Sequence, residues 1–433
     1  MASILFYGID LMYSQFSILL NKRLLLVLSG IVCEYFLFTT FILLSKTISA
    51  DLLPKVSELG HQLFTISVLC LAGLSRPLGG ILFSSIGDSP MRHRIFNFSS
   101  LVMAISSMII ACLPNAIYFG FWAPIILLFI RMCQGIVIGA VIPEAIIYCY
   151  EQSDNESKLF TTNLANMATG CGFLLAMLSA DFMYIFLDAH SWRYIMFAVS
   201  AICLLLFIMT KSYFISTTKQ KTIPTGFHSI RQVLRLHKWE IIRLFCFGTF
   251  LTSGGAVFFY IMPDFLAQYF HYSWPQTRIF GISVVVAYMI GMIVAVFFHE
   301  CINKNFYISS GFVFKAILVF VFHSYVTHDF YEVVILSSFC CFMFGFFIAK
   351  LPVMMIASFP PHLRYAGVSL VYNVSFGIMF GLSQYIIGFL IQKTHSLYMP
   401  SMYIIFFSYV SLISLWFMSK DTFYSYHHKS DSA

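Results

Sequence analysis

Apolar runs of about twenty residues recur along almost the whole of this chain, and they leave few folds open to it. A helical run of that length crosses the hydrocarbon of a bilayer, since each helical residue rises about 1.5 Å. Within lipid, every backbone N–H and C=O must be satisfied by the protein, so only helices and closed barrels span a membrane. Barrel strands would alternate polar and apolar residues over about ten positions. These runs do not alternate, and helices are predicted. Composition agrees. The chain is 60% hydrophobic and 10% charged, whereas a soluble domain carries about 25% charged residues. The fold class predicted is all-α and polytopic.

Twelve spans are predicted, at about 23–45, 60–84, 95–114, 119–149, 158–187, 193–214, 241–268, 278–299, 306–326, 331–357, 366–391 and 399–418. The longest non-apolar break, ISTTKQKTIPTGFHSIRQVLRLHKWE at 215–240, splits them into two pseudo-symmetric halves of six. The expected units are an N-terminal cytoplasmic or interfacial segment (1–22), a first half (23–214), a central cytoplasmic loop (215–240), a second half (241–419) and a cytoplasmic tail (420–433). Residues 3–20 are apolar but broken by Asp10, Ser14 and Gln15, with no basic stretch before them, so a signal peptide is not expected.

Orientation follows from the basic residues. One set of predicted loops and ends carries Lys22, Arg23, Arg92, Arg94, Lys158, Lys211, Lys219, Lys221, Arg231, Arg235, Lys238, Arg243, Lys304, Arg364, Lys420 and Lys429. The opposite set carries Lys46, Lys55, Arg193, Arg278 and Lys393. This asymmetry puts both termini and the central loop in the cytoplasm. It also accounts for most of the +7 formal charge without a nucleic-acid partner. The 11 cysteines are scattered through apolar runs, and the one close pair is Cys340-Cys341. Buried cysteine acts as a small hydrophobe, so neither a metal site nor any cofactor is expected. No phosphate-cradling glycine loop is present to bring ATP to the chain. No nucleophile and base stand at workable spacing, so the chain is not read as an enzyme.

The stretch RPLGGILFSSIGDSPMRHR, Arg76 to Arg94, reads as the end of one span, a tight charged turn and the start of the next. A degraded echo, HECINKNFY, follows the eighth span, with Glu300 in the place of Asp88 and Lys304 in that of Arg92. A repeat with its site between the halves is a transporter pattern. The first stretch resembles the loop signature of the major facilitator superfamily, in the version carried by the metabolite:proton symporter family of proline/betaine, shikimate and dicarboxylate carriers. It keeps Arg76, Pro77, Gly79, Gly80, Gly87, Asp88 and Arg92, and departs at Ser84, Ser89 and Met91. WAPIILLFIRMCQGIVIG, from Trp122, resembles the fourth-span motif through Arg131, Gln134, Gly135 and Gly139. FPPHLRYAGVSLVYN, from Phe359, resembles the family's stretch there through Arg364, Tyr365, Gly367 and Asn373. Together the matches cover nearly the whole chain. They imply twelve helices around a central cavity and secondary transport by alternating access.

Departures from the resemblance bear on coupling. The family's first span reads E-W-Y-D, and here Glu34 is kept while Leu37 stands for the second acid. Val141 replaces the acid after the fourth-span motif, although Glu144 follows three residues later on the same helix face. Ala357 replaces the acid before the tenth-span Phe-Pro.

An ionisable group inside a span faces the bundle interior or a water-filled cavity, and marks a functional site by default. Glu34 is thus a candidate proton carrier, the other reading being a structural hydrogen bond to a neighbouring helix. Arg131 cannot shed its charge. It must meet a carboxylate, a carbonyl or an anionic substrate, and Glu34 is the favoured internal partner. Glu144 is a second candidate for coupling. Lys350 precedes Pro352, where a freed carbonyl and a kink are expected; it either meets substrate or snorkels to the interface. Lys315 is a weaker candidate of the same kind.

Arg76, Gly80, Gly87, Asp88, Arg92, Glu300 and Arg364 are assigned instead to a cytoplasmic gate, with charged groups clasping the halves and glycines allowing close approach. The phenylalanines are read as lipid-facing bulk. The resulting expectation is a proton-coupled transporter of a small anionic or zwitterionic metabolite, such as an organic acid, amino acid or betaine. It would work as a monomer in a bacterial inner membrane. An uncoupled facilitator and a transporter-derived sensor are the alternatives.

Overall fold

The computed structural model describes residues 21–53, 58–87, 93–154, 157–188, 191–214, 226–298, 310–311, 314, 317–321, 324 and 329–416. Among these residues there is no strand. The long helices are α1 (Lys22–Leu43), α2 (Glu58–Gly87), α3 (Arg94–Cys112), α4 (Trp122–Glu151), α5 (Lys158–Phe186), α6 (Trp192–Phe214), α7 (Lys238–Phe270), α8 (Trp274–Phe297), α9 (Phe330–Ala357), α10 (Pro361–Thr394) and α11 (Met399–Trp416). Nine of the helices among the described residues are long and apolar enough to cross a membrane. These helices stand where spans were expected. The span expected at 306–326 is described at 310–311, 314, 317–321 and 324, all helical.

Local chemistry explains the boundaries. Asn21 caps α1 by accepting from the Arg23 N–H at 3.0 Å. Helix α8 begins earlier than expected because Ser273 and Gln276 form a capping box ahead of it and Pro275 sits in its first turn. This places Arg278, expected at the very start of the span, one turn inside the helix. The expected central loop is partly helical: Gly226–Leu236 forms a connector helix. Its buried residues, Ser229, Ile230 and Val233, share one face against α2, α7 and α10, while Arg231, Leu234 and Arg235 are exposed. Helix α9 breaks at Lys350, with Pro352 opening its last segment. Two helices carry π turns, α7 at Val257–Ile261 and α10 at Asn373–Ile378. Such turns often accompany functional sites.

Helices α1 to α6 pack chiefly on one another, as do α7 to α11. Small residues set the closest crossings, as packing within lipid favours. A Cβ on Gly139 of α4 would stand 2.0 Å from the Arg76 carbonyl oxygen of α2. The second group repeats the device, since a Cβ on Gly345 of α9 would stand 1.9 Å from the Tyr288 carbonyl oxygen of α8. The two groups meet where α2 and α4 pack on α10, and where α5 packs on α8 and α9.

Candidate functional site

A cavity lies between the two groups, walled by α1, α2 and α5 on one side and by α7, α8, α9 and α10 on the other. It holds about 700 Å³ free of protein atoms, counting the part open to solvent. Helical spacing places its lining. Tyr35 and Phe38 face it from α1, and Asn166, Thr169 and Phe173 from α5. From α10 come Tyr372, Phe376 and Phe380, each one turn beyond the last.

Most of the wall is aromatic. Phe173 meets Phe259 at 5.5 Å between ring centres, and Phe259 meets Tyr288 edge to face at 5.2 Å. Tyr372 and Phe376 stack at 4.6 Å. The phenylalanines read as lipid-facing bulk therefore include the cavity wall, because lipid and an aromatic cavity demand the same apolar residue. Gly254 is present because the Phe344 ring occupies the space a Cβ would take, at 1.8 Å.

One cation enters this wall. Arg76 is 3% exposed, with its guanidinium carbon 5.0 Å from the centre of the Phe38 ring. Its stem passes Gly377 of α10, where a Cβ would stand 3.0 Å from the Arg76 Cβ. Nε has no partner, and Arg76 makes no hydrogen bond or ion pair among the described residues. A buried cation without a hydrogen-bonded anion is costly. A guanidinium can bind a carboxylate with two parallel hydrogen bonds.

The other expected residues are placed differently. Glu34 is buried and accepts from Ser99 of α3, while Oε2 has no partner. It faces the interior of the first group, close enough to Arg76 for their charges to interact. The expected Glu34–Arg131 partnership is not formed. Instead Arg131 Nη1 donates to Gln134 Oε1 at 3.0 Å, and its guanidinium lies 3.5 Å from the centre of the Phe41 ring, two turns along α1 from Glu34. Gln134 in turn donates to Ser106 at 2.9 Å. Glu144 is fully buried in α4, and Lys350 is half-buried at the break in α9. None of these four is among the cavity-lining residues. Lys315, Asp88, Arg92 and Glu300 lie outside the described residues.

The remaining residues assigned to the gate come together where α2 and α4 end against α10. A Cβ on Gly80 would meet Ser369 Oγ at 2.1 Å, and one on Gly87 would meet the Tyr365 ring at 2.3 Å. Arg364 pairs with Glu151 at 2.6 Å. Two residues of the FPPHLRYAGVSLVYN stretch that were not assigned to the gate reinforce the seam: Tyr365 donates to the Ala140 carbonyl at 2.9 Å and Asn373 to the Gly139 carbonyl at 2.7 Å. At the far end, Asp181 of α5 and Arg278 of α8 pair at 3.1 Å, and Tyr184 stacks on Trp274 at 4.5 Å. Nearer the cavity, Tyr35 bonds Tyr372 at 3.1 Å and Thr39 bonds Tyr260 at 3.0 Å, both across the two groups. Contacts thus join the two groups at each end of the cavity.

Residues 27–383 match the family model described as Major Facilitator Superfamily. The chain is similar to the glycine betaine/proline/ectoine/pipecolic acid transporter OusA of Dickeya dadantii, 23% identical over 93% of this chain and 83% of the relative. It is 25% identical to a putative proline/betaine transporter of Staphylococcus haemolyticus, over 89% and 84% of the two chains. Among solved structures it resembles the proton:xylose symporter XylE bound to 6-bromo-6-deoxy-D-glucose, with TM-score 0.73 and 14% identity over 92% and 94%. At that identity the likeness is one of fold.

Proposed function

This chain belongs to the Major Facilitator Superfamily, and on that premise we propose that it carries a small zwitterion bearing a carboxylate and an ammonium group. It is an integral, multi-pass transporter and not an enzyme. The observation that carries the reading is Arg76, a buried cation in a wall of aromatic rings that has no hydrogen-bond or ion-pair partner among the described residues. The guanidinium takes the carboxylate, and the ring faces attract the ammonium group. Names printed for the relatives, which include proline and glycine betaine transporters, support the same class.

Transport proceeds by alternating access, the halves 23–214 and 241–419 rocking about the cavity. Arg364–Glu151 and the Gly80/Gly87 seam close one end, and Asp181–Arg278 closes the other. Glu34 carries the coupled proton, and its charge is felt at Arg76. Arg131, Glu144 and Lys350 support coupling from outside the cavity. The protein acts as a monomer in a bacterial inner membrane, with both termini and the Gly226–Leu236 connector helix in the cytoplasm.

A second reading is an uncoupled facilitator. One observation favours it: Glu34 turns onto Ser99 and does not line the cavity. Purified protein in liposomes separates the two. Labelled proline, glycine betaine and a dicarboxylate are offered with and without an inward proton gradient. Accumulation that needs the gradient and is lost in Glu34→Gln supports the symporter. Uptake indifferent to the gradient supports the facilitator, and no saturable uptake of any probe would defeat both.

A further inference from the structure

Tyr35 of α1 and Tyr372 of α10 join their hydroxyls at 3.1 Å across the two groups of helices, and both line the cavity. They are 8% and 5% exposed. Each hydroxyl carries one O–H and accepts through its lone pairs. Whichever of the two donates, the other keeps its own O–H, and neither hydroxyl has a further hydrogen-bond partner among the described residues. The pair therefore holds one O–H unspent at the cavity wall, and either tyrosine can supply it by reversing the bond.

The rings hold these hydroxyls in place. Tyr35 packs edge to face on Phe173 at 5.5 Å, and Tyr372 stacks on Phe376 at 4.6 Å. Tyr372 also lies close enough to Arg76 for the guanidinium charge to be felt there. Other polar side chains of the wall are placed differently. Thr169 and Thr252 spend their hydroxyls on the Asn166 and Gly248 carbonyls of their own helices. Asn166 Nδ2 and the Tyr288 hydroxyl are further donors of the wall, but neither bonds across the two groups. A buried O–H without an acceptor is costly, and phenylalanine would pack at either position without that cost. Beside a guanidinium, the acceptor that suits this O–H is a carboxylate oxygen, since the bond is then charge-assisted.

We infer that the Tyr35–Tyr372 pair is a specificity-determining part of the site, its shared O–H donating to the same substrate carboxylate that Arg76 binds. The inference rests on the zwitterion reading above. The substrate becomes the third member of a chain, hydroxyl to hydroxyl to carboxylate, in which each bond polarises the next. Because the two tyrosines belong to different halves, the bound carboxylate strengthens the link between them.

The test is uptake into liposomes holding the intact protein, with whichever of proline and glycine betaine the wild type carries faster. Tyr35→Phe leaves the Tyr372 O–H for the carboxylate, and Tyr372→Phe leaves that of Tyr35. Each alone is expected to lower kcat/KM by about threefold or less. The double variant has no O–H to give, and a fall of about 10- to 100-fold is expected. A purely structural link between the halves gives another pattern, because either single substitution already breaks it. Single variants as impaired as the double variant overturn the inference, and so does a double variant no worse than the single ones. Tyr288→Phe falling as far as the double variant would move the donor to α8 and overturn it too. Binding to the purified protein separates a lost contact from a damaged fold. The preference for the substrate over its methyl ester, whose carboxyl is uncharged, is expected to shrink by about tenfold in the double variant, and an unchanged preference overturns the inference. Tyr35→Leu with Tyr372→Phe serves if the two phenylalanines together prevent folding. Wild type that carries neither probe defeats the zwitterion reading, and this one with it.

Discussion

Arg76 and Phe38 face each other across the junction of α2 and α1, guanidinium carbon to ring centre 5.0 Å, at the wall of the central cavity. The ring holds one face of the cation and leaves its N–H edge unspent. Replacing Arg76 by Gln removes the charge but keeps hydrogen-bonding groups. Saturable zwitterion uptake is expected to fall by about 100-fold or more, the scale of about 3 kcal/mol for losing a charged hydrogen-bonded partner. Arg76→Lys keeps charge but not the planar fork and is expected to restore only part. Initial uptake rates over a range of substrate concentrations check this, and unchanged KM in both variants would defeat the carboxylate assignment.

Glu34 and Ser99 make the second prediction. With the carboxyl fixed as a neutral amide, Glu34→Gln is expected to abolish gradient-driven accumulation while substrate exchange across the membrane persists. Ser99→Ala removes the hydroxyl that Glu34 accepts from and is expected to slow accumulation severalfold without abolishing it. Counterflow and net uptake measured in the same liposomes separate the effects. Loss of exchange as well would make Glu34 a structural residue.

A third prediction concerns the clasp at one end. Asp181 and Arg278 are only 17% and 20% exposed in their side chains, so the pair is partly shielded from water. Breaking it by Arg278→Gln is expected to shift the open population at that end by a factor of about 2 to 5, corresponding to about 0.4–1 kcal/mol. The measured quantity is the alkylation rate of a cysteine placed at Phe380 in a background without other cysteines, using a reagent that cannot cross the membrane. A rate that does not move would show that the pair is no part of the clasp.

The fourth prediction contrasts two glycines. Gly139→Ala drives a methyl group to 2.0 Å from the Arg76 carbonyl, so α2 and α4 must separate. A stability loss of about 1–3 kcal/mol is expected, with loss of transport, since Arg76 moves with its backbone. Around Gly30 of α1 nothing lies within 4 Å of the added methyl. Gly30→Ala is expected to leave transport intact and to stabilise the helix by up to about 1 kcal/mol. Thermal unfolding in detergent, read beside uptake, distinguishes these outcomes.

Much of the architecture was legible in the chain. Runs such as the one from Lys22 to Leu43 have the length a bilayer demands, and nothing else in them competes for another fold. Stretches around Arg76, Arg131 and Arg364 were enough to name the family that the match over residues 27–383 shows. Helix ends were less legible. Ser273 and Gln276 started α8 ahead of its expected boundary, and a helix formed within the expected central loop.

The sequence by itself determined that the chain is a bundle of membrane-spanning helices of this family, because hydrophobic length and backbone satisfaction are local properties. Only the tertiary structure decided which residues share the cavity. Period 3.6 places Asn166, Thr169 and Phe173 on one face of α5, but it does not say whether that face meets lipid, a neighbouring helix or the cavity. Arg76 read as part of a gate because it shares a charged stretch with Asp88 and Arg92. The packing of Gly139 and Gly377 against its backbone and stem is what sends its head into the aromatic wall. Phenylalanine is equally at home in lipid and in a cavity wall, so the sites of Phe173, Phe259 and Phe376 became distinguishable only once the helices were set side by side.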